Sequence, residues 1–439
     1  MTGGDDGERM ERRIESEGVD HVFVEFADVN GISRSKQIRA DYFLDNWRSG
    51  FPMNLLLLVQ TPRSDVPEAS GYGSEIDYGD GTVHPDPSTF RLLPWRDDAA
   101  RVICDFRYEG DPVAAAPRTV LRSVLDLLDA EFDYQFYLGS ELEFYLLDPT
   151  DDGGYAPATD HKHECVSWAT EEVAPFYDRL TDYADDYGVE LTSLQHEHGA
   201  GQLEILFDYG KPLDQADTTF DFKRLVKRTA RLVGQRATFM AKPFGDREGS
   251  GYHMHVSAFD DGENVFAPEA GEGLSERGRQ FVAGILDHAD ALTALGAPTL
   301  NAFKRFEPGS FAPYTASWGH DNRMVGLRVP QGTPRIENRM PSADANPYLV
   351  GAATLAAGYD GLRRGLDPGD PLRGDPTGEA PVLPRSPEVA LAALEADETL
   401  GEILGSELVR AYTATKRREL QSFRETVTEW ERSQYVETL

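Results

Sequence analysis

Residues 139–147, Gly139-Ser-Glu-Leu-Glu-Phe-Tyr-Leu-Leu, place glutamates at 141 and 143 and apolar residues at 142 and 144. Successive side chains of a β-strand point to opposite faces, so this period of two sends both carboxylates to one face and Leu142 and Phe144 to the other. Three other clusters carry related signals. His253 and His255 sit two apart in Gly249-Ser-Gly-Tyr-His-Met-His-Val, and Arg335, Glu337 and Arg339 alternate in Pro334-Arg-Ile-Glu-Asn-Arg. In Gln195-His-Glu-His-Gly-Ala-Gly-Gln-Leu-Glu, Glu197 and Glu204 stand on either side of a glycine turn. One arrangement joins all four clusters: strands of a single sheet that present carboxylate, imidazole and guanidinium groups on a common face.

Taken alone, each cluster has an ordinary structural reading. A Glu-x-Glu strand is commonly the wet face of an antiparallel sheet, a buried histidine is commonly satisfied by hydrogen bonds, and alternating Arg and Glu can form a cross-strand ion-pair ladder. His161-Lys-His-Glu-Cys165 has the composition of a metal site but reads as a loop without chemistry. Together, five glutamates and one histidine suit two hard divalent cations such as Mg²⁺ or Mn²⁺, which favour oxygen ligands. Cations beside several arginines point to phosphorylated substrates, because phosphoryl transfer depends on charge neutralisation and in-line positioning.

The remaining chain frames this sheet as an α+β fold. Residues 21–40 alternate apolar and polar positions around Val29-Asn30-Gly31, the pattern of a β-hairpin. A small β-rich domain over 17–110 is expected, ending in the breaker-rich stretch 109–118. A larger domain over 111–439 follows. It opens with a helix over 119–132, where Leu121, Val124, Leu125 and Leu128 have helical spacing, and continues with paired strands over 134–147. Residues 366–385 read as a Pro/Gly-rich loop, and the last stretch as a helix.

Asp and Glu number 76 against 43 Lys and Arg, a formal net charge of -33. That balance argues against a sequence-independent grip on nucleic acid or an anionic membrane, both of which need clustered cations. Acidity spread over the whole length, with 40% hydrophobic residues, fits a folded protein of a very salty, halophilic cytosol, where surface charge is screened over about 3 Å at 1 M salt. Cys104 and Cys165 are the two cysteines and form no disulfide framework or thiolate metal cluster, which suits a reducing cytoplasm. The N-terminal residues lack an apolar leader core, and the apolar run Leu55-Leu56-Leu57-Leu58-Val59 falls far short of the roughly 20 residues that span a bilayer. A soluble cytoplasmic protein is expected.

The order of the clusters resembles the glutamine synthetase superfamily from about residue 20 to 439. The resemblance is carried by VNGISRSK (29–36), GSELEFYLL (139–147), QHEHGAGQLEI (195–205), FMAKPFGDREGSGYHMHVS (239–257), NAFKRFEPGSFAP (301–313) and NRMVGLRVPQGTPRIENRMPSADANPYL (322–349). It implies a β-grasp N-terminal domain, a catalytic domain with a curved antiparallel sheet and flanking helices, and a dodecamer of two hexameric rings. It further implies an ATP-dependent ligase with glutamate, ATP and an amine as substrates and two or more Mg²⁺ or Mn²⁺ ions. By position, Glu143, Glu197 and Glu204 match the ligands of the metal nearest glutamate, and Glu141, His253 and Glu337 those of the metal among the ATP phosphates. Arg305 and Arg339 match the arginines that hold the α-carboxylate, and the backbone at Gly249 matches the α-amino contact. Arg323, Arg328 and Arg335 match the phosphate-binding arginines, while His255 and Ser257 match nucleotide contacts.

Two departures meet at the acceptor end. Family members that use ammonia carry a flap glutamate in a Pro-Gly-x-Glu-Ala-Pro-like run, whereas this sequence has Pro308-Gly-Ser-Phe311-Ala-Pro313. The family's ammonium-binding aspartate, from an Asp-Gly-Ser-Ser-like loop, has no match in residues 50–73. A compact ammonium ion needs nearby negative charge and a base, because desolvating it without a partner costs several kcal/mol. Phe311, with part of 53–59, instead suits an aliphatic amine, and Asp65, Glu68, Glu75 and Asp77 are candidate partners for a distal ammonium. Glutamate ligation to putrescine or another small amine is therefore expected; glutamine synthesis from ammonia and a catalytically silent ring paralogue are the alternatives. Glu248 is a further departure, since many members carry Asn there beside the Gly-Ser-Gly turn.

Overall fold

A computed structural model describes residues 3–162, 164–271, 273–308 and 310–439. His163 of the 161–165 run and Gly309 of the flap run lie outside the described residues.

The N-terminal hairpin forms where the alternation predicts it. Strand His21–Ala27 pairs antiparallel with Ser33–Arg39, and Ala27 is the partner of Ser33. The turn between them needs a residue at positive φ, and Gly31 supplies it at 76°. These strands belong to a sheet ordered Ser33–Arg39, His21–Ala27, Ala99–Tyr108, Asp80–Pro85, Phe51–Asn54, in which His21–Ala27 runs parallel to Ala99–Tyr108.

The second sheet is the larger. Its path runs Leu191–His196, Gln202–Phe207, Gln135–Pro149, Tyr252–Asp260, Ile336–Asn338, Leu327–Val329 and Trp318–His320. Every pairing along it is antiparallel except the last. Residues 134–147, expected as two strands, are mostly one long strand, Gln135–Pro149. The alternation of buried Phe136, Leu138, Leu142 and Phe144 with less buried Tyr137, Gly139, Glu141 and Glu143 runs straight through Gly139-Ser140, where Gly139 stays paired with His255 and takes no positive φ of a turn.

Helices close the apolar side. Pro117–Phe132 starts with proline in its first turn, where the missing N–H costs nothing, and ends on Asp133 in the left-handed region. Pro347–Arg364 starts at Asn346, whose side chain accepts from the Tyr348 N–H, and ends on left-handed Gly365. It packs so closely on Glu276–Asp287 that a Cβ at Gly361 would lie 2.1 Å from the Gln280 carbonyl oxygen. Buried polar ties join the two sheets: Arg118 pairs with Asp86, Asp105 and Asp217, and the Asn346 side chain donates to the Asp28 carbonyl. Among the described residues no helix is long and apolar enough to cross a membrane.

Candidate active site on the larger sheet

Strand register brings the four clusters together. Glu143 is the cross-strand partner of Glu204, which in turn faces Gln195. On the other side Glu141 pairs with His253, His255 with Glu337, and Glu337 with Arg328. Because these positions are two apart within each strand, their side chains share one face. Arg335 and Arg339 flank the short strand Ile336–Asn338, so they lie at its two ends and not within it.

Two donor groups result. Glu141, His253 and Glu337 offer ligand atoms within 4.8 Å of one another, as do Glu143, Glu204 and His253. Glu197 is tied to the second group by Gln195, whose Nε2 donates to Glu197 at 2.7 Å and to Glu204 at 2.8 Å. His253 thus stands between the two groups, 3.3 Å from Glu141 and 3.7 Å from Glu143.

The electrostatics of the two groups differ. Burial works against the ionised form of Glu141, but hydrogen bonds from His253 and His255 hold it far below the usual carboxylate range. Burial also opposes Glu337, and the neighbouring His253 and Arg339 charges keep it low. Arg328 donates to one Glu337 oxygen at 2.9 Å and Arg339 to the other at 2.6 Å. On the other side, burial and then the charges of Glu143, Glu141 and Glu197 push Glu204 up to about 9. Glu197 is raised as well, by burial first and then Glu143. That side carries more negative charge than its neighbours balance, and its oxygen-rich donors fit a hard divalent cation.

A cleft of about 810 Å³ opens over this side and is lined by Glu143, Glu197, Glu204, His253, Gly249, Arg305, Arg323, Arg339 and Phe311. Arg305 is buried beneath the Gly249 turn and donates to the carbonyls of Met340 and Arg339. The Nε groups of Arg305 and Arg339 are buried without a hydrogen-bond partner. Glu141, His255, Arg328, Arg335 and Glu337 carry the polar face beyond this cleft. Arg335 donates from Nε to His255 Nδ1 at 3.1 Å, which leaves His255 Nε2 to donate to Glu141 at 2.7 Å. Ser257 lies two residues further along the same strand, partly exposed. Phe311 is 69% exposed at the cleft rim.

Several predicted details change. Asp65, Glu68, Glu75 and Asp77 do not line the cleft within this chain. Asp65 meets Arg418, Glu75 accepts from the Gly71 and Gly73 N–H groups, and Glu68 lines a separate cleft of about 1380 Å³ against residues 394–421, which holds none of the predicted metal, glutamate or nucleotide residues. The 161–165 loop, read as devoid of chemistry, reaches the site: Lys162 pairs with Glu248, and Glu164 and Cys165 line the cleft. Gln202 carries no spacing signal in the quoted motif, yet its Nε2 donates to Glu143 at 3.0 Å. Tyr209 is 65% exposed and lies beside His255, each with its Cβ 3.5 Å from where a Gly139 Cβ would stand. No spacing in the sequence marks it.

Comparison with known proteins follows the same lines. A family model described as the catalytic domain of glutamine synthetase matches residues 114–435. Glutamine synthetase of Halobacterium salinarum is 35% identical over 444 residues, covering 97% of this chain and 95% of that protein. Gamma-glutamylethanolamide synthetase GlnA4 of Streptomyces coelicolor is 34% identical, covering 97% and 94%. Glutamate–isopropylamine ligase of a Pseudomonas species is 34% identical, covering 97% of both chains. The solved structure of GmaS without ligand superposes with a TM-score of 0.88 at 33% identity, covering 97% of this chain and 99% of that one.

Proposed function

This chain belongs to the glutamine synthetase family, and from that premise we propose that it joins the γ-carboxylate of glutamate to a small amine, putrescine among the candidates. It is an ATP-dependent carbon–nitrogen ligase of this family. The observation that carries the amine reading is Phe311, an apolar side chain exposed at the cleft rim where the ammonia-using relatives' motif has an acid. Two similar proteins are named gamma-glutamylethanolamide synthetase and glutamate–isopropylamine ligase, which supports it. Glutamine synthesis is the second reading, favoured by the Halobacterium relative at comparable identity.

Glu143 and Glu204, with Glu197 brought beside them by Gln195, would hold one divalent cation, and Glu141, His253 and Glu337 the other, Mg²⁺ or Mn²⁺ by donor chemistry. Bound there, such ions neutralise phosphate charge and align donor and acceptor. Arg305 and Arg339 each keep a buried, unpartnered Nε–H beside the cleft, suited to the α-carboxylate of glutamate. The γ-carboxylate oxygen attacks the γ-phosphorus of ATP and ADP leaves, giving an acyl phosphate. Arg323, Arg328 and Arg335 supply positive charge to the phosphoryl oxygens. The amine, once deprotonated, attacks the carbonyl carbon, and phosphate departs with the carbon–oxygen bonding pair. His255 and Ser257 contact the nucleotide, with Tyr209 as an exposed ring for its base.

The division into 17–110 and 111–439, the β-grasp description of the first sheet, the double hexameric ring and a cytoplasmic, high-salt setting belong to the same proposal. Its test is phosphate release from ATP with glutamate and a panel of amines, with products identified by mass.

A further inference from the structure

Glu248 is held rigidly by its backbone. Tyr145 donates to its carbonyl at 2.9 Å, Gln202 donates to the Gly249 carbonyl at 3.2 Å, and the Gly251 N–H donates to Glu143 at 2.8 Å. The turn is therefore fixed to the carboxylates of the site, and the Glu248 side chain lines the cleft. Its two oxygens differ. Oε1 receives the Lys162 ammonium at 2.5 Å, with His198 Nε2 at 3.6 Å. Oε2 is buried without a hydrogen-bond partner.

Lys162 is a tethered primary ammonium on a loop, with its side chain 51% exposed. An exposed pair of this kind is weak, because water solvates the released ammonium well and fixing the long side chain costs entropy. An incoming ammonium, with three N–H groups to offer, competes for the same Oε1, since Oε2 is buried. Arg305 lies directly under this turn: a Cβ at Gly249 would meet its Cγ at 2.7 Å.

We propose that Glu248 is a specificity-determining residue that binds a primary ammonium of the substrates, and that Lys162 occupies the same carboxylate until the substrate displaces it. This rests on the ligase reading above. The ammonium has two sources, the α-ammonium of glutamate and the protonated end of a diamine acceptor, and the same exchange serves either. Lys162 then acts as an internal competitor that weakens the apparent affinity for the substrate ammonium.

The test is isothermal titration calorimetry with glutamate, with glutarate, which lacks the α-ammonium, and with putrescine. Mg²⁺ and the non-hydrolysable nucleotide AMP-PCP are present, and the proteins are wild type, Lys162→Ala, Glu248→Gln and the double variant. Glu248→Gln weakens the ligand whose ammonium it binds by about tenfold or more, the scale of a lost hydrogen bond to a charged group. Lys162→Ala tightens that same ligand, and the double variant behaves as Glu248→Gln alone. Movement of glutamate but not glutarate identifies the α-ammonium; movement of putrescine identifies the acceptor. Unchanged affinity for both in Glu248→Gln overturns the proposal, as does equal weakening of glutamate, glutarate and AMP-PCP, which marks a structural role. Because binding needs no turnover, a wild type that makes only glutamine would sink the amine reading while leaving the Glu248 result to be judged by itself.

Discussion

Glu143 and Glu204 stand opposite one another on adjacent antiparallel strands, two carboxylates in direct cross-strand register on the cleft face. Keeping Glu204 ionised costs burial and repulsion from Glu143, which is why its carboxyl is pushed up to about 9, and nothing in the strand pairing requires an acid there. Glu204→Gln is therefore expected to stabilise the cation-free protein by about 0.5–1 kcal/mol. The same change should lower ligase activity on the order of a hundredfold, the scale of lost charge stabilisation at a reacting phosphate. Denaturant melts without divalent cations and phosphate-release rates with them check the pair of signs; lower stability with retained activity would contradict it.

Phe311 cannot attract a cation or take a proton. Phe311→Glu places an acid at the exposed rim of the cleft and should shift the ratio of rates with ammonium and with an alkylamine toward ammonium by about tenfold. Competition between ammonium and an amine, with both products counted by mass, reads the ratio directly. An unchanged ratio would remove Phe311 from the account of acceptor choice.

Arg118 is buried and donates to Asp217, Asp105 and Asp86, which joins the helix Pro117–Phe132 to the N-terminal sheet. Tyr348 donates to the same Asp217 at 2.7 Å. Arg118→Ala leaves Asp217 buried without its cation, and a loss of about 3–5 kcal/mol is expected. Denaturant unfolding measures it, and Arg118→Lys should recover only part because one ammonium cannot reproduce the fork.

His288 sits between two carboxylates, with Nδ1 2.6 Å from Asp397 and Nε2 3.2 Å from Asp360. Only the imidazolium donates to both. Burial opposes the charge, but the bonds to Asp397 and Asp360 raise its pKa above 6.5. Since the folded value lies above the unfolded one, this stabilisation is complete below about pH 6.5 and is lost as pH rises through the folded value. The melting temperature of wild type should fall over that range relative to His288→Gln; parallel pH profiles would contradict the linkage.

The sequence disclosed the strand-borne part of the site. Glu141, Glu143, His253, His255, Glu204 and Glu337 occupy regular strands, where period two alone settles which face they share. It did not disclose the loop-borne part. Lys162, His198 and Glu248 meet through side chains remote in sequence, and no periodicity links positions 162 and 248. Gln195 and Gln202 lay in view, but an amide gives no sign of which carboxylate it will bind until the register sets it. The expected pair of strands over 134–147 is one strand of 15 residues, Gln135–Pro149, a length that few strands reach.

The most direct measurement of the central claim is ATP-dependent phosphate release at high salt with Mg²⁺ or Mn²⁺ and glutamate, comparing ammonium with putrescine, ethanolamine and monoalkylamines and weighing each product. The expected result is release that depends on an amine and yields its γ-glutamylamide, with ammonium a poor substitute. Glutamine formed from ammonium alone, with no amide from any amine, would contradict it.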